Sequence, residues 1–253
     1  MYKDYVFDLY GTLVDINTDE GIEDLWKKMS LFYGYNGAAY TPKELREAYI
    51  EEVKADESKM KKDIEVELPR YAHEAYPEIQ LEYVFQKLFK RKGVDVSVEF
   101  ASITGQFFRI ESTRYIKLYD GVFELLNAIR DAGGKIWLLS NAQRIFTEYE
   151  LKYLGIYDIF DGILISSDEG TRKPDLRFFK ILNERFGIDL ESAIMIGNDA
   201  RTDIGGAIKA GMDTFFIYSN ISPSMTDEEI DAVKATYKLD HMDLLEVKSM
   251  LGL

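Results

Sequence analysis

The spacing of apolar positions divides the chain into two regions with different periodicity. Between residues 17 and 115, apolar side chains recur at the helical period with charged residues between them. Thr41 and Ser97 are candidate N-caps, and Thr41 forms a capping box with Glu44. The two clearest stripes, which Gly34 and Gly93 are expected to end, are Ile22, Leu25, Trp26, Met29 and Phe32, and Leu81, Val84, Phe85, Leu88 and Phe89. We expect helices here and no strand of any strength.

Outside that region, short apolar runs alternate with helical patterns. The strand candidates are residues 5–8, 135–139, 162–165, 193–196 and 214–217. Strands that alternate with helices predict parallel crossovers, so we expect an α/β fold with a doubly wound parallel sheet. The first strand must join the later ones, because one strand cannot stand alone. We therefore predict a core domain of residues 1–15 and 116–253, with residues 16–115 inserted as a helical cap over the strand ends.

Composition narrows the classes of function. The chain has 253 residues, 46% of them hydrophobic, which is enough for the packed core of one or two domains. A net charge of −14 argues against binding to nucleic acid or to an anionic membrane, whereas a small anionic substrate remains compatible with a local Lys or Arg. The absence of Cys excludes disulfides and fits a cytoplasmic location. The sequence offers no signal peptide, no membrane span and no signal for an oligomeric state.

The most informative segment follows the first apolar run. Asp8 stands at the carboxyl end of the predicted strand, where open α/β sheets bind their ligands. Gly11 and Thr12 then turn the chain away and leave the carboxylate in a crevice. An aspartate at such a position is suited to act as a nucleophile or as a metal ligand.

Two later strand candidates also end in polar residues. Ser140 and Asn141 are able to donate hydrogen bonds to a phosphoryl or carboxylate oxygen, although both residue types are common in turns and caps. Lys173 precedes Pro174, which we expect to start a helix. The Lys173 ammonium would keep Asp8 ionised and offset charge on a transferring group, whereas alone it would be read as a solvated loop residue.

A pair of carboxylates follows the strand candidate at residues 193–196. Asp199 and Asp203 are four residues apart and are predicted to face one point in space. Carboxylates, backbone oxygen and water are the ligands that Mg²⁺ prefers. The alternative is that Asp199 or Asp203 caps the next helix.

These four clusters, in this order, resemble the four motifs of the haloacid dehalogenase-like (HAD) hydrolases. The matching segments are Asp8-Leu9-Tyr10-Gly11-Thr12-Leu13, Ser140-Asn141, Lys173-Pro174-Asp175 and Gly197-Asn198-Asp199-Ala200-Arg201-Thr202-Asp203. The resemblance implies a Rossmann-like HAD core with Asp8 as the nucleophile. It also implies Mg²⁺ bound by Asp8, the Tyr10 backbone carbonyl and Asp199, with Asp203 supporting the ion or its waters.

Tyr10 departs from the usual family pattern. Most phosphatases of the family have a second Asp there, which protonates the leaving group, and a phenol with a pKa of about 10 replaces it poorly. The Asp-x-Tyr-Gly-Thr-Leu form resembles that of the metal-independent L-2-haloacid dehalogenases. Their fourth motif is Ser-Ser-Asn-x-x-Asp, which this sequence lacks.

Three functions remain open from the sequence. The favoured one is a Mg²⁺-dependent phosphatase of a small phosphorylated metabolite that works through an aspartyl-phosphate, with Asp8, Tyr10, Ser140, Asn141 and Lys173 as candidate catalytic residues. The alternatives are a dehalogenase that forms an aspartyl ester without metal and a non-catalytic binding member of the fold. The phosphatase is favoured because a dehalogenase has no use for the second metal carboxylate. The two histidines, His73 and His241, lie beside no motif and are expected to have surface or packing roles.

Overall fold

A computed structural model of the protein describes residues 2–68 and 75–253. The strands are β1 (Asp4–Phe7), β2 (Val14–Thr18), β3 (Thr113–Leu118), β4 (Lys135–Ser140), β5 (Gly162–Ile165), β6 (Ala193–Gly197), β7 (Asp213–Ile217) and β8 (Tyr237–Leu239). The helices are α1 (Glu23–Tyr35), α2 (Pro42–Glu67), α3 (Leu81–Lys90), α4 (Val98–Ser112), α5 (Val122–Asp131), α6 (Arg144–Tyr153), α7 (Ser166–Glu169), α8 (Leu176–Phe186), α9 (Gly205–Lys209), α10 (Asp227–Ala232) and α11 (Leu244–Met250). A π-helical turn, Ala200–Ile204, leads into α9.

Six strands form one parallel sheet in the order β5-β4-β1-β6-β7-β8. β1 lies inside this sheet, between β4 and β6, so the first strand joins the later ones as expected. The predicted α/β class with a doubly wound parallel sheet is confirmed. The sequence did not lead us to expect β8, which is only three residues long.

Helices cover both faces of the sheet. Successive side chains of β1 point to opposite faces, so they pack in two different apolar clusters. Tyr5 and Phe7 pack in a cluster that includes Leu125 of α5 and Val247 of α11. Val6 packs in a second cluster with residues of α8 and α9, including Phe178, Phe179 and Ala207. All four residues of β1 are buried, which is why this strand is a nearly continuous apolar run in the sequence.

The helices α1 to α4 lie between β2 and β3 in the chain and form their own apolar cluster. Its aromatic centre includes Trp26, whose ring centroid lies 5.7 Å from that of Phe108. The cluster also takes in Ile145 and Phe146 of α6, so the inserted helices pack directly on a helix that flanks the sheet. Thr41 caps α2 with the reciprocal bonds of a capping box, and Ser97 caps α4, as predicted.

The expectation that residues 17–115 contain no strand was wrong at both ends of the region. β2 and β3 pair antiparallel, with Ile16 opposite Ile116 and Asp15 opposite Lys117. Each crossing is a short run that mixes β-branched and charged residues, and it becomes a strand only because the other crossing lies beside it. The two connections to the inserted helices are therefore one hydrogen-bonded ribbon.

Two local predictions about helix ends were also wrong. α1 continues through Gly34 to Tyr35, and the left-handed turn comes instead at Gly37, where φ is +87°. α8 begins at Leu176 with Asp175 as its N-cap, so Pro174 precedes the cap and does not occupy the first helical position. Among residues 2–68 and 75–253, no helix is both long enough and apolar enough to cross a membrane.

Candidate active site

Asp8 follows β1 directly, at the carboxyl end of a central strand. Its backbone N–H donates to the carbonyl of Ile196, 2.9 Å away, which extends the pairing of β1 with β6 by one residue. The chain then turns at Gly11, where φ is +87° and an added Cβ would lie 2.2 Å from Asn198 Nδ2. Glycine is needed there both for the left-handed backbone and for the close approach of Asn198. This turn leaves the Asp8 side chain at the end of the sheet, as predicted.

Lys173 is almost completely buried and brings two of the predicted residues together. Its Nζ lies 2.7 Å from Asp8 Oδ1, 2.9 Å from Asp203 Oδ1 and 2.6 Å from the Leu139 carbonyl. An ammonium has three N–H donors, so these three acceptors use its full capacity. Burial opposes the charge on Lys173, but Asp203 and Asp8 outweigh it and raise the pKa of Lys173.

The carboxyl of Asp8 is sensitive to the charge around it. The pKa of this carboxyl is raised to about 7, with burial as the largest cause; Lys173 acts in the opposite direction, and the nearby Asp203 adds to the rise. Further positive charge beside Asp8 would favour the ionised, nucleophilic form, and a divalent cation is a strong source of such charge.

Asp199 and Asp203 have different surroundings. Asp203 is buried and uses both oxygens, since Oδ1 contacts Lys173 and Oδ2 accepts from the Asp199 backbone N–H at 3.0 Å. Asp199 Oδ1 accepts from the backbone N–H groups of Arg201 and Thr202, both at 2.8 Å, so the helix-capping interpretation holds for this residue. Gly197 lies under the pair, and a Cβ there would come within 2.4 Å of Asp203 Oδ2.

Ser140 is the last residue of β4, the strand beside β1, and Asn141 follows it; of the two side chains, only that of Ser140 has no hydrogen-bond partner among the described residues. The Ser140 Oγ is completely buried. Asn141 instead clasps the backbone of Lys173, with Nδ2 donating to its carbonyl at 3.0 Å and Oδ1 accepting from its N–H at 2.8 Å. A buried hydroxyl without a partner is costly, and Ser140 lines neither of the two cavities described below.

The phenol of Tyr10 is bound to side chains of α6. Its hydroxyl donates to Glu150 Oε2 and lies 3.0 Å from Thr147 Oγ1. Arg109 of α4 completes the group, with Nε 2.6 Å from Glu150 Oε1 and its guanidinium carbon 5.6 Å from the centre of the Tyr10 ring. Burial and the Glu150 carboxylate raise the pKa of Tyr10. This group joins the first motif, α6 and the inserted helices, and no local sequence pattern links Arg109 or Glu150 to Tyr10.

Asp8, Lys173, Asp199 and Asp203 line one cavity of about 240 Å³, together with Tyr10 and Asn141. A second cavity of about 520 Å³ shares Asn141, Lys173 and Thr202 with it and is bounded on the other side by Tyr76 and Glu78. The structure thus brings together all the residues predicted for catalysis and metal binding except Ser140, which is buried beside Asn141. His241 is exposed and pairs with Asp240, outside this site, and His73 lies outside the described residues.

A family model for haloacid dehalogenase-like hydrolases matches residues 2–211. The chain belongs to this family. The family assignment agrees with the resemblance of the four motifs, and this HAD-like hydrolase carries them at the ends of β1, β4 and β6 and in the segment before α8.

Curated relatives of this hydrolase include proteins named as phosphatases. It is 28% identical to the glyceraldehyde 3-phosphate phosphatase of Methanopyrus kandleri over 151 residues, which are 58% of this chain and 65% of that protein. It is 22% identical to the pyrimidine 5'-nucleotidase PynA of Streptococcus pneumoniae over 97% of this chain and 94% of that protein. The chain thus spans slightly less than two thirds of the first relative and nearly all of the second.

Two solved structures share the fold of this hydrolase over almost its whole length. The HAD phosphatase of Thermococcus onnurineus has a TM-score of 0.60 at 21% identity and covers 99% of this chain and 98% of its own. The 2-haloacid dehalogenase of Pseudomonas syringae has the same TM-score at 18% identity and covers 100% and 99%. Because the two TM-scores are equal, the fold does not distinguish a phosphatase from a dehalogenase. The side chains of the site must be used for that distinction.

Proposed function

We propose that this hydrolase is a Mg²⁺-dependent phosphatase that acts on a small phosphorylated metabolite through an aspartyl-phosphate on Asp8. The observation that carries the proposal is the arrangement around Asp8. Lys173 lies 2.7 Å from this carboxylate at the end of β1, and Asp199 contributes a second carboxylate to the same small cavity. A buried cation and two carboxylates suit a reaction in which charge moves onto and off a phosphoryl group.

The residues of the cavity fit Mg²⁺ by the chemistry of their donors. Asp8 and Asp199 offer carboxylate oxygens and Tyr10 offers a backbone carbonyl, and all three residues line the cavity. Asp203 has both oxygens engaged by Lys173 and by the Asp199 N–H, so we assign it the positioning of those two groups. When bound, Mg²⁺ would offset the negative charge of the phosphoryl oxygens.

The chain's own residues account for the covalent steps. An Asp8 oxygen bonds to phosphorus as the bond from phosphorus to the leaving oxygen breaks, and the leaving oxygen takes up a proton. Water then attacks phosphorus of the aspartyl-phosphate, which releases phosphate and restores the Asp8 carboxylate. The Lys173 ammonium would hold the Asp8 carboxylate in place and offset negative charge on the phosphoryl group, while Asn141 holds the Lys173 backbone.

Tyr10 does not fill the role of the usual acid in this proposal. Its hydroxyl donates to Glu150, and both burial and Glu150 raise its pKa, so the proton is held away from a leaving group. The leaving oxygen would then take its proton from solvent, and substrates with good leaving groups should react faster.

The dehalogenase is the second candidate, and the observation that favours it is Tyr10. In that reaction Asp8 would attack the carbon that bears the halogen and release halide, and water would hydrolyse the ester. Against it stand Asp199, which lines the same cavity as Asp8, and the phosphatase names of the curated relatives. The family assignment favours either enzyme over a non-catalytic binding protein.

A substrate screen tests the proposal. Purified protein is assayed with phosphate esters and with 2-haloacids, each in Mg²⁺ and in EDTA, with Asp8→Asn as the matched control. We expect phosphate release that requires both Mg²⁺ and Asp8. Halide release in EDTA without phosphatase activity would assign the dehalogenase reaction instead.

A further inference from the structure

Two arginines line the larger cavity next to the candidate catalytic centre. Arg172 and Arg201 both border the space of about 520 Å³ that shares Lys173 and Asn141 with the Asp8 cavity. Arg172 immediately precedes Lys173, and Arg201 lies two residues after Asp199. A substrate bound at Asp8 that extended past Lys173 would enter a space lined by one arginine from the segment before α8 and one from the π-helical turn before α9.

The positive charge of this cavity is only partly compensated. Arg172 Nη1 lies 3.4 Å from Glu78 Oε2, at the long end of an ion pair. The Arg201 side chain is exposed, and its guanidinium contacts no carboxylate of residues 2–68 or 75–253. The charge of Lys173 is already balanced by Asp8 and Asp203. The lining of this cavity thus contains two arginines and one acidic residue, Glu78, in a protein whose net charge is −14.

Tyr76 and Glu78, which line the same cavity, are held to the core by hydrogen bonds. Glu78 accepts from Gln143 Nε2 at 3.1 Å and from Ser166 Oγ at 3.3 Å. The Tyr76 N–H donates to Asp175 Oδ2 at 3.2 Å, and the Arg172 N–H donates to the Tyr76 carbonyl at 3.0 Å. The part of the cavity formed by Tyr76 and Glu78 is therefore held in place before a ligand arrives.

We propose that this cavity binds a second anionic group of the substrate, a carboxylate or a phosphoryl group, through Arg172 and Arg201. The planar fork of a guanidinium matches the two oxygens of such a group, which makes arginine the preferred partner. The proposal rests on the proposed phosphatase function, and it narrows the substrate to phosphorylated metabolites that carry a further acidic group.

Binding of paired ligands tests the subsite without turnover. The ligands are alkyl phosphonates of graded chain length that end in a carboxylate, each matched by the corresponding amide, and calorimetry in Mg²⁺ gives their affinities. At one chain length the wild-type protein should prefer the acid. Arg172→Gln and Arg201→Gln should each reduce that preference about tenfold, the effect of losing one hydrogen bond to a charged group. Arg172→Lys, which keeps the charge, should retain part of it.

Arg130→Gln is the matched control. The Arg130 side chain is 43% exposed, close to the 39% of Arg172, and it pairs with Asp161 outside the cavity. This variant should keep the wild-type preference for the acid.

Two results would overturn the subsite. If the wild-type protein bound acid and amide equally at every chain length, the cavity would not recognise a second anionic group on the substrate. If the Gln variants lost the same affinity for the acid and for the amide, the arginines would be contacting the phosphonate group that both ligands share. Turnover of p-nitrophenyl phosphate in Mg²⁺ is measured separately: its absence alongside an arginine-dependent preference would reject the phosphatase and keep the subsite.

Discussion

Replacing Lys173 by Met should destabilise the fold in a way that depends on pH. Met has a similar volume but no charge and no N–H donor. Asp8, Asp203 and the Leu139 carbonyl would each lose the donor that now lies within 3 Å. Because Lys173 is 1% exposed, water cannot easily replace it.

The size of the effect follows from the burial of the group. Removing one partner of a buried ion pair costs about 3–5 kcal/mol of unfolding free energy, because an uncompensated charge stays behind. Two carboxylates share Lys173, so we expect a value in the upper part of that range at alkaline pH. Near pH 6 the cost should be smaller, because Asp8 can take up a proton.

The pH dependence has a definite sign. Burial holds the pKa of Asp8 at about 7 in the folded protein, above its ordinary value of 3.8, so Asp8 contributes stability at low pH that is lost as pH rises through 7. Lys173 lowers this pKa, so the variant must have a higher one. Above pH 7 the variant's folded state therefore keeps a proton that the wild type has released. Its deficit should grow by about 1.4 kcal/mol per pH unit until its own pKa is reached.

Urea unfolding of the wild type and the variant at pH 6 and pH 8.5 measures the loss of unfolding free energy and its change with pH. EDTA is included so that no cation is bound. Lys152→Met is the control, since Lys152 is exposed and pairs with Glu148 on the surface of α6. A deficit for Lys173→Met below about 1 kcal/mol, or one that shrinks as pH rises, would refute the reasoning from buried charge.

The remaining predictions concern the metal and the leaving group. Asp199→Asn should weaken Mg²⁺ binding in calorimetry while far-UV circular dichroism stays unchanged, because the amide oxygen can still accept from the Arg201 and Thr202 N–H groups; unaltered affinity would remove Asp199 from the metal site. Tyr10→Asp alone would place a carboxylate against Glu150, so the test is made in a Glu150→Gln background. There it should raise turnover of an alkyl phosphate more than that of p-nitrophenyl phosphate, by up to the roughly 10²–10⁴-fold of a general acid. Equal turnover with and without Tyr10→Asp in that background would show that position 10 is not the place of a missing general acid.

The strands that carry the motifs were predictable because their signal is local. β1, β4 and β6 are buried apolar runs that end abruptly in polar residues, and a doubly wound sheet brings such ends together. The order of the clusters along the chain then identified the family. β8 was not predicted because three residues of mixed polarity form no periodic pattern. They are a strand because they pair with β7 at the edge of the sheet.

The side-chain partners in the site could not be predicted from the sequence. Tyr10 and Glu150 are 140 residues apart, and Asn141 and Lys173 are 32 apart. These contacts depend on how the inserted helices and α6 pack, which no local periodicity encodes. Helix capping and metal binding, the two roles suggested for Asp199, do not exclude each other. One carboxylate oxygen caps the next helix, and the residue also lines the Asp8 cavity.

Asp8 is proposed to carry a phosphoryl group during the reaction, and trapping this intermediate tests the proposed mechanism directly. Enzyme in excess over a phosphate ester is mixed in Mg²⁺, quenched in acid and digested, and the peptide containing Asp8 is analysed by mass spectrometry. We expect one added phosphoryl group on Asp8, absent in EDTA and in Asp8→Asn. Phosphate release with no modified Asp8, or an ester on Asp8 formed from a 2-haloacid in EDTA, would contradict it.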